Sequence, residues 1–175
     1  MLSLLARSGE APIPLAAVRT GFAGARWPGR LEPSPAVRRL WWDGAHNVDG
    51  VRRLAQAWRD EMLMDPPSAI VFAASRDKDV HAMLQRLGSF AREATFVLTR
   101  TRSERSVEPE ALAEQATALG LRHSTAPDVR AALAPWLDHG PDGRGRASGR
   151  VLLCGSLFAV GEAMEAFGGA PGELQ

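Results

Sequence analysis

The chain has 175 residues, enough for one domain with a sizeable core, and its 45% hydrophobic and 23% charged content is that of an ordinary globular protein. A net charge of +1, with basic residues spread along the chain, excludes a polyanion-binding role, so no nucleic acid is expected as a partner. No apolar run approaches membrane-spanning length, MLSLLARSGE lacks the basic start of a signal peptide, and the single cysteine, Cys154, lies within apolar VLLCGS; a reducing, cytoplasmic setting is expected, with no membrane partner.

In chain order, PLAAVRTGFAG (14–24) reads as a short helix, and WPGRLE (27–32) as a turn built on Pro28 and Gly29. VRRLWW (37–42) has the branched and aromatic content of a strand. Val48, Val51, Leu54, Ala55, Trp58 and Met62 then form a helical stripe over 48–62, which Asp65-Pro66-Pro67 stops. AIVFAAS (69–75) is a near-continuous apolar strand, and Val80, Met83, Leu84 and Leu87 mark the next helix. TFVLTR (95–100) is a strand, and PEALAEQATAL (109–119) is a helix with Pro109 at its favoured first position and Gly120 as its cap. LRHSTA (121–126) is a short strand, and PDVRAALAPWL (127–137) a helix strained by Pro135. HGPDGRGRASG (139–149) is the one loose, turn-rich stretch. RVLLCGS (150–156) and LFAVGEAMEAF (157–167) close the chain as a strand and a helix. Of the five tryptophans, Trp27 and Trp136 are expected to be exposed.

Strands alternating with helices predict an α/β fold, Rossmann-like, with a mainly parallel sheet and helices on both faces. In such sheets ligands bind beyond the carboxyl ends of the strands. Asp43-Gly44-Ala45-His46-Asn47, Ser75-Arg76-Asp77-Lys78-Asp79 and Gly155-Ser156 each follow a strand and precede a helix, so the three segments are expected on one rim. Asn47 and Asp79 would serve as helix N-caps in any protein. A cap needs no acid, imidazole and ammonium together, which singles out Asp43, His46 and Lys78. All but one of the 21 basic residues are arginine; the exception is Lys78, a compact ammonium where genome bias would favour a guanidinium.

Other motifs fail on spacing. No GxxxxGK[ST] phosphate loop exists, because Lys78 follows Asp77 rather than glycine. GRGRASG precedes a strand instead of following one, so it is no dinucleotide fingerprint. Asp43, His46, Asp77 and Asp79 lack diagnostic metal-ligand spacing, and no metal site is assigned; a small metal-dependent hydrolase would rest on those acids alone. Cys154 paired with His123 or His139 as a nucleophile is weaker still, since the cysteine sits inside a strand.

WPGRLE (27–32), DGAHN (43–47), RDKD (76–79), LTRTRSERSVEPEALAE (98–114) and LLCGSLFAVGEA (152–163) occur in an order and spacing that resembles one family. It is the C-terminal domain of bifunctional folylpolyglutamate synthase/dihydrofolate synthase, of the ATP-dependent Mur ligase superfamily. The resemblance implies an ATP- and Mg2+-dependent ligase that phosphorylates a folate or dihydropteroate carboxylate and lets the amine of L-glutamate attack the acyl phosphate. It implies that Arg30 contacts ATP phosphate and that Asp43 and Asn47 contact the nucleotide. His46 would lie near the γ-phosphate and incoming glutamate as the catalytic group. Lys78 and Ser156, with Asp77 beside them, would form the glutamate site.

The sequence departs from the family at Val48, where proline is usual, and at Ser75, where an apolar residue is usual. It also carries no phosphate loop, magnesium ligands or pterin pocket. The expected organisation is residues 1–28 as a remnant helix and linker from an N-terminal ATPase domain, and 29–175 as the glutamate-ligase domain. Alone, the chain is expected to be catalytically silent, with that ATPase domain as its partner. The alternative is a stand-alone α/β ligand-binding module without ligase activity.

Overall fold

The computed structural model describes residues 14–24, 27–37, 39–137 and 149–167. Its strands are β1 (Glu32–Pro33), β2 (Leu40–Trp42), β3 (Ala69–Phe72), β4 (Thr95–Leu98), β5 (His123–Thr125) and β6 (Val151–Cys154). They form one sheet in the order β1-β2-β6-β3-β4-β5, with β1 antiparallel to β2 and every other pair parallel. The register sets Trp42 beside Leu153, Cys154 beside Phe72, and Phe72 beside Leu98. The carboxyl ends of β2, β6, β3 and β4 therefore lie in one row.

The helices are α1 (Leu15–Gly24), α2 (Val48–Gln56), α3 (Val80–Phe90), α4 (Pro109–Ala118), α5 (Val129–Leu137) and α6 (Leu157–Phe167). Successive strand residues point to opposite faces, which separates two cores. Ile70, Phe72, Phe96, Leu98, Leu152 and Cys154 pack with Val51, Leu54, Met83, Leu84, Leu87 and Leu112 of α2, α3 and α4. Trp42, Val71, Val97, Val151 and Leu153 pack with Val129, Leu133, Val160 and Met164 of α5 and α6. β3 and β6 are buried along their whole length, as central parallel strands covered on both faces must be. Each fully buried aliphatic or aromatic side chain is worth about 1.5–3 kcal/mol, so these strands anchor the rim they end in.

The structure corrects three expectations and adds a strand. The strand expected over 37–42 begins only at Leu40, because Leu40 N–H donates to the Val37 carbonyl and Ser34 N–H to the Leu40 carbonyl, closing a reversal. That reversal pairs β2 with β1, two residues, Glu-Pro, that carry no strand signature. The helix expected over 48–62 is α-helical to Gln56 and then π-helical over Ala57–Glu61, where Met62 N–H reaches the Ala57 carbonyl at 3.0 Å. Within that wider turn Trp58 is fully buried, edge-on to Trp41 and Phe90, with its indole N–H on the Asp65 carbonyl at 2.9 Å. Trp136 is buried rather than exposed, because Val129, Ala132, Leu133 and Trp136 share one helical stripe facing the sheet. Trp27 is 74% exposed, as expected. The loose stretch at 139–149 lies outside the described residues apart from Gly149.

Candidate functional site

The loops after β2, β6 and β3 meet at the carboxyl rim through their backbones. Gly155 N–H donates to the Ala45 carbonyl at 2.8 Å, and Ala73 N–H to the Cys154 carbonyl at 3.3 Å. Gly155 has φ +97°, and a Cβ there would lie 2.3 Å from the Ala73 carbonyl oxygen. Only glycine lets the three loops approach this closely. Gly44 is less constrained: its Cβ would fall 2.3 Å from Leu157 Cδ2, the movable end of a side chain, which places the start of α6 over the β2 loop. Ser156 is buried at this junction, its carbonyl accepting from Val160 N–H as α6 begins.

In the β2 loop, Asp43 is 8% exposed and both its oxygens accept from backbone. Ala45 N–H donates to Oδ1 at 2.7 Å, and Leu31 N–H to Oδ2 at 2.8 Å. Burial pushes its carboxyl above the ordinary value, against those two hydrogen bonds and the charges of Arg30 and His46. The hydrogen bond from Leu31 ties the turn carrying Arg30 to the rim. That turn holds positive φ at Gly29 (77°) and at Leu31 (39°), the second unusual for leucine. Glu32 closes it from the other side, its Oε1 accepting from Gly29 N–H at 2.7 Å and from Trp42 Nε1–H at 3.0 Å. Arg30 itself is exposed. Asp43 and Glu32 thus hold Arg30 at the rim through its backbone.

His46 is half-buried, with Nδ1 2.8 Å from the Gly44 carbonyl oxygen. A carbonyl only accepts, so Nδ1 carries the proton and Nε2 keeps a lone pair when the ring is neutral. Asn47 is the N-cap of α2, its Oδ1 accepting from Gly50 N–H at 2.7 Å. Asp79 caps α3 in the same way through Ala82 N–H at 3.0 Å. The capping roles read from sequence are present at both positions.

The β3 loop is built differently. Asp77 Oδ2 lies 2.8 Å from Lys78 Nζ, and Asp77 Oδ1 accepts from Arg105 Nη2 at 3.0 Å. Those cations, Lys78 first, hold the Asp77 carboxyl down at about 2. Arg105 comes from the loop between β4 and α4, which runs antiparallel beside this one at Ser75 and Ser106. Arg76 N–H donates to the Arg105 carbonyl and Val107 N–H to the Ala74 carbonyl, both at 2.9 Å. Arg105 is the residue the sequence reading missed. Nothing in TRTRSERS separates it from Arg100, which pairs with Glu108, or Arg102, which pairs with Glu162 and Glu165.

The rim therefore brings Arg30, Asp43, His46 and Asn47 together on one loop-and-turn unit, and Asp77 and Lys78 on another, with Ser156 between β2 and β3 at the end of β6. Both oxygens of Asp77 are engaged by cations, which sets the charges of Lys78 and Arg105 in place. Among the described residues no group of three or more histidine, cysteine or acidic side chains could hold a metal ion, so Asp43, His46, Asp77 and Asp79 form no magnesium cage. Cys154 is fully buried, and burial drives its thiol well above the ordinary range, which leaves it no nucleophile's role. His123 sits on the edge strand β5, separated from β6 by the two strands β3 and β4.

Comparison with known proteins places the fold among relatives. A profile described as "Mur ligase, glutamate ligase domain" matches residues 29–157. Dihydrofolate synthase/folylpolyglutamate synthase of Mycobacterium tuberculosis is 34% identical over 171 residues, covering 89% of this chain and 33% of the relative. The Bacillus subtilis protein of the same name is 36% identical over 80 residues, 46% of this chain and 18% of its own length. A crystal structure of Mycobacterium tuberculosis folylpolyglutamate synthase complexed with ADP and AMPPCP superposes with a TM-score of 0.77 at 30% identity, over 96% of this chain and 38% of that one. The chain thus spans about a third of the length of the M. tuberculosis relative.

Proposed function

This chain belongs to the Mur ligase glutamate ligase domain family, and from that premise we propose that it supplies the amino-acid site and part of the nucleotide site of an ATP-dependent ligase. The reaction joins L-glutamate to dihydropteroate or a folate. ATP gives its γ-phosphoryl group to the acceptor carboxylate, ADP leaves, the glutamate amine attacks the acyl phosphate, and phosphate is expelled as the amide forms.

The observation that carries this reading is the convergence of His46, Lys78 and Ser156 at one rim through the Gly155–Ala45 and Ala73–Cys154 hydrogen bonds. Arg30, on its braced turn, would meet the nucleotide phosphates, where a guanidinium stabilises charge shared among oxygens. Asp43, beside Asn47, would act on the nucleotide chiefly by holding that turn. His46 Nε2, made an acceptor by the Nδ1 hydrogen bond to Gly44, can take the proton that the attacking amine sheds. Lys78 and Ser156 would hold the glutamate carboxylates. Magnesium would come with the nucleotide on the partner domain, and none of these steps is assigned to a metal ligand of this chain.

The helix α1, which buries none of its residues, and the exposed Trp27 support reading residues 1–28 as a helix and linker toward an N-terminal ATPase domain, with 29–175 as the ligase domain. No helix among the described residues is long and apolar enough to cross a membrane, and the proposed setting is the cytoplasm. Pure chain incubated with ATP, glutamate and dihydropteroate or a reduced folate is expected to yield no glutamylated product. In an active ligase carrying this domain, Lys78→Ala is expected to raise the glutamate KM while leaving the ATP KM nearly unchanged. Lys78→Arg should be partly defective, because a planar fork does not replace a point charge. Unchanged glutamate kinetics in both variants would remove Lys78 from the site.

A further inference from the structure

We propose that Arg105 is a positioning residue for the amino-acid site: it holds one oxygen of Asp77 so that the other fixes the Lys78 ammonium at the rim. This deepens the reading of Lys78 as a glutamate-carboxylate group and rests on it.

Three observations carry the proposal. Arg105 and Lys78 take different oxygens of Asp77, at 3.0 Å and 2.8 Å. One carboxylate between two cations leaves a net positive charge, which suits an incoming carboxylate. Arg105 is also held in place by backbone, not by its ion pair alone. The Arg76–Arg105 and Val107–Ala74 hydrogen bonds flank the Ser75–Ser106 bridge, and Arg76 Nε donates to the Ser106 carbonyl at 3.1 Å. Ser106 is buried, and its Oγ accepts from Thr101 N–H at 3.0 Å, which fixes the loop from its own side. Finally, the neighbouring arginines turn elsewhere, Arg76 and Arg100 to Glu108 and Arg102 to α6. Without Arg105, both oxygens of Asp77 would be open to Lys78. The carboxylate would then be free to turn, and the oxygen that holds the ammonium would no longer fix it in one place at the rim.

The sequence supplies a clean probe, because Lys78 is the chain's single lysine. Lysine labelled with 13C and 15N gives one side-chain signal, to be followed by NMR in the 175-residue chain while L-glutamate is added. In Arg105→Ala the Lys78 signal is expected to move before any ligand is present. Glutamate should then bind roughly 2- to 5-fold more weakly, the scale of an exposed ion pair. Arg105→Lys should recover part of both effects, since an ammonium can still hold one carboxylate oxygen, and an otherwise parent-like amide spectrum shows that the variants fold. If glutamate shifts Lys78 in the parent but Arg105→Ala leaves the free Lys78 signal in place, the positioning role is overturned alone. If glutamate leaves Lys78 unmoved in the parent, the glutamate reading falls and the proposal with it.

Discussion

The two halves of the rim are held by opposite physics. Asp43, beside β2, is buried and spends its charge on two backbone N–H groups, and burial raises its pKa. Asp77, beside β3, stands in solvent between two cations, and they lower its pKa to about 2. The first arrangement fixes backbone, and with it the turn carrying Arg30. The second fixes side chains over a backbone already held by the Ser75–Ser106 bridge. A buried hydrogen-bonded carboxylate is part of the fold, whereas an exposed ion pair can be adjusted or screened with little cost to it. Under the proposed roles, a phosphate-facing group that must stay still and an amino-acid clamp that must admit its ligand call for this division.

Gly155, which lies between the halves, tests whether they share a foundation. Gly155→Ala places a methyl 2.3 Å from the Ala73 carbonyl oxygen at φ +97°. It is expected to cost about 3 kcal/mol or more, with both loops disturbed together in an amide NMR spectrum. A well-folded Gly155→Ala chain with only one loop perturbed would mean that the halves are independent.

Next in size is Asp43→Ala, which orphans the Leu31 and Ala45 N–H groups in a buried setting and is expected to cost about 2–4 kcal/mol by urea unfolding. Asp77→Ala removes exposed pairs only and should lower the unfolding midpoint at neutral pH far less than Asp43→Ala does. Roughly 0.5 M salt should loosen the Lys78 side chain while leaving the Leu31 and Ala45 amides unmoved. Equal destabilisation by the two substitutions would erase the contrast.

The sequence revealed the half that obeys periodicity and hid the half that depends on long-range partners. The apolar runs AIVF and VLLC could only be central strands, and α6 spans Leu157–Phe167 as its stripe predicts. The rim followed from the order of strands and helices. β1 was invisible because two residues hold no period, and the π-helical turn because a one-residue widening barely disturbs a helical stripe. Trp136 was expected at the surface, although its spacing from Val129 and Leu133 placed it on the buried face. Within the site, DGAHN announced itself as a cluster. Arg105 did not, since its partner Asp77 lies 28 positions away and one arginine in TRTRSERS looks like another.

Acid titration sharpens the comparison, because the two carboxylates pull stability in opposite directions. The folded pKa of Asp77 is lowered from 3.8 to about 2, so its contribution is complete above 3.8 and is lost as pH falls toward 2. The folded pKa of Asp43 is raised above 3.8, so its contribution is complete below 3.8 and is lost as pH rises through the folded value. Urea midpoints measured from acid to neutral pH should therefore show a shallower acid-side loss in Asp77→Asn. In Asp43→Asn the loss on the rising side should vanish, on top of a lower midpoint at every pH. Parallel curves for the two variants would mean that the sites do not differ as described.

The smallest effect asks how far the β2 half is already preorganised. Val48 is the first residue of α2, a position where proline is favoured because its missing N–H has no intrahelical acceptor. Asn47, which precedes it, has φ −152° and ψ 172°, the extended conformation that a following proline requires. Val48→Pro should therefore enter without strain and stabilise the chain by about 0.5 kcal/mol through the unfolded state. The gain is tempered because Val48 is half-buried against the α2–α3 core, and proline fills that place less completely. If the loop is as fixed as the Asp43 hydrogen bonds imply, the substitution should leave the amide signals of Ala45, His46 and Asn47 where they are and raise the melting temperature slightly. A clear destabilisation, with those three signals shifted, would show that the DGAHN loop needs Val48 to find its shape, and that its rigidity belongs to the helix entry rather than to the buried carboxylate.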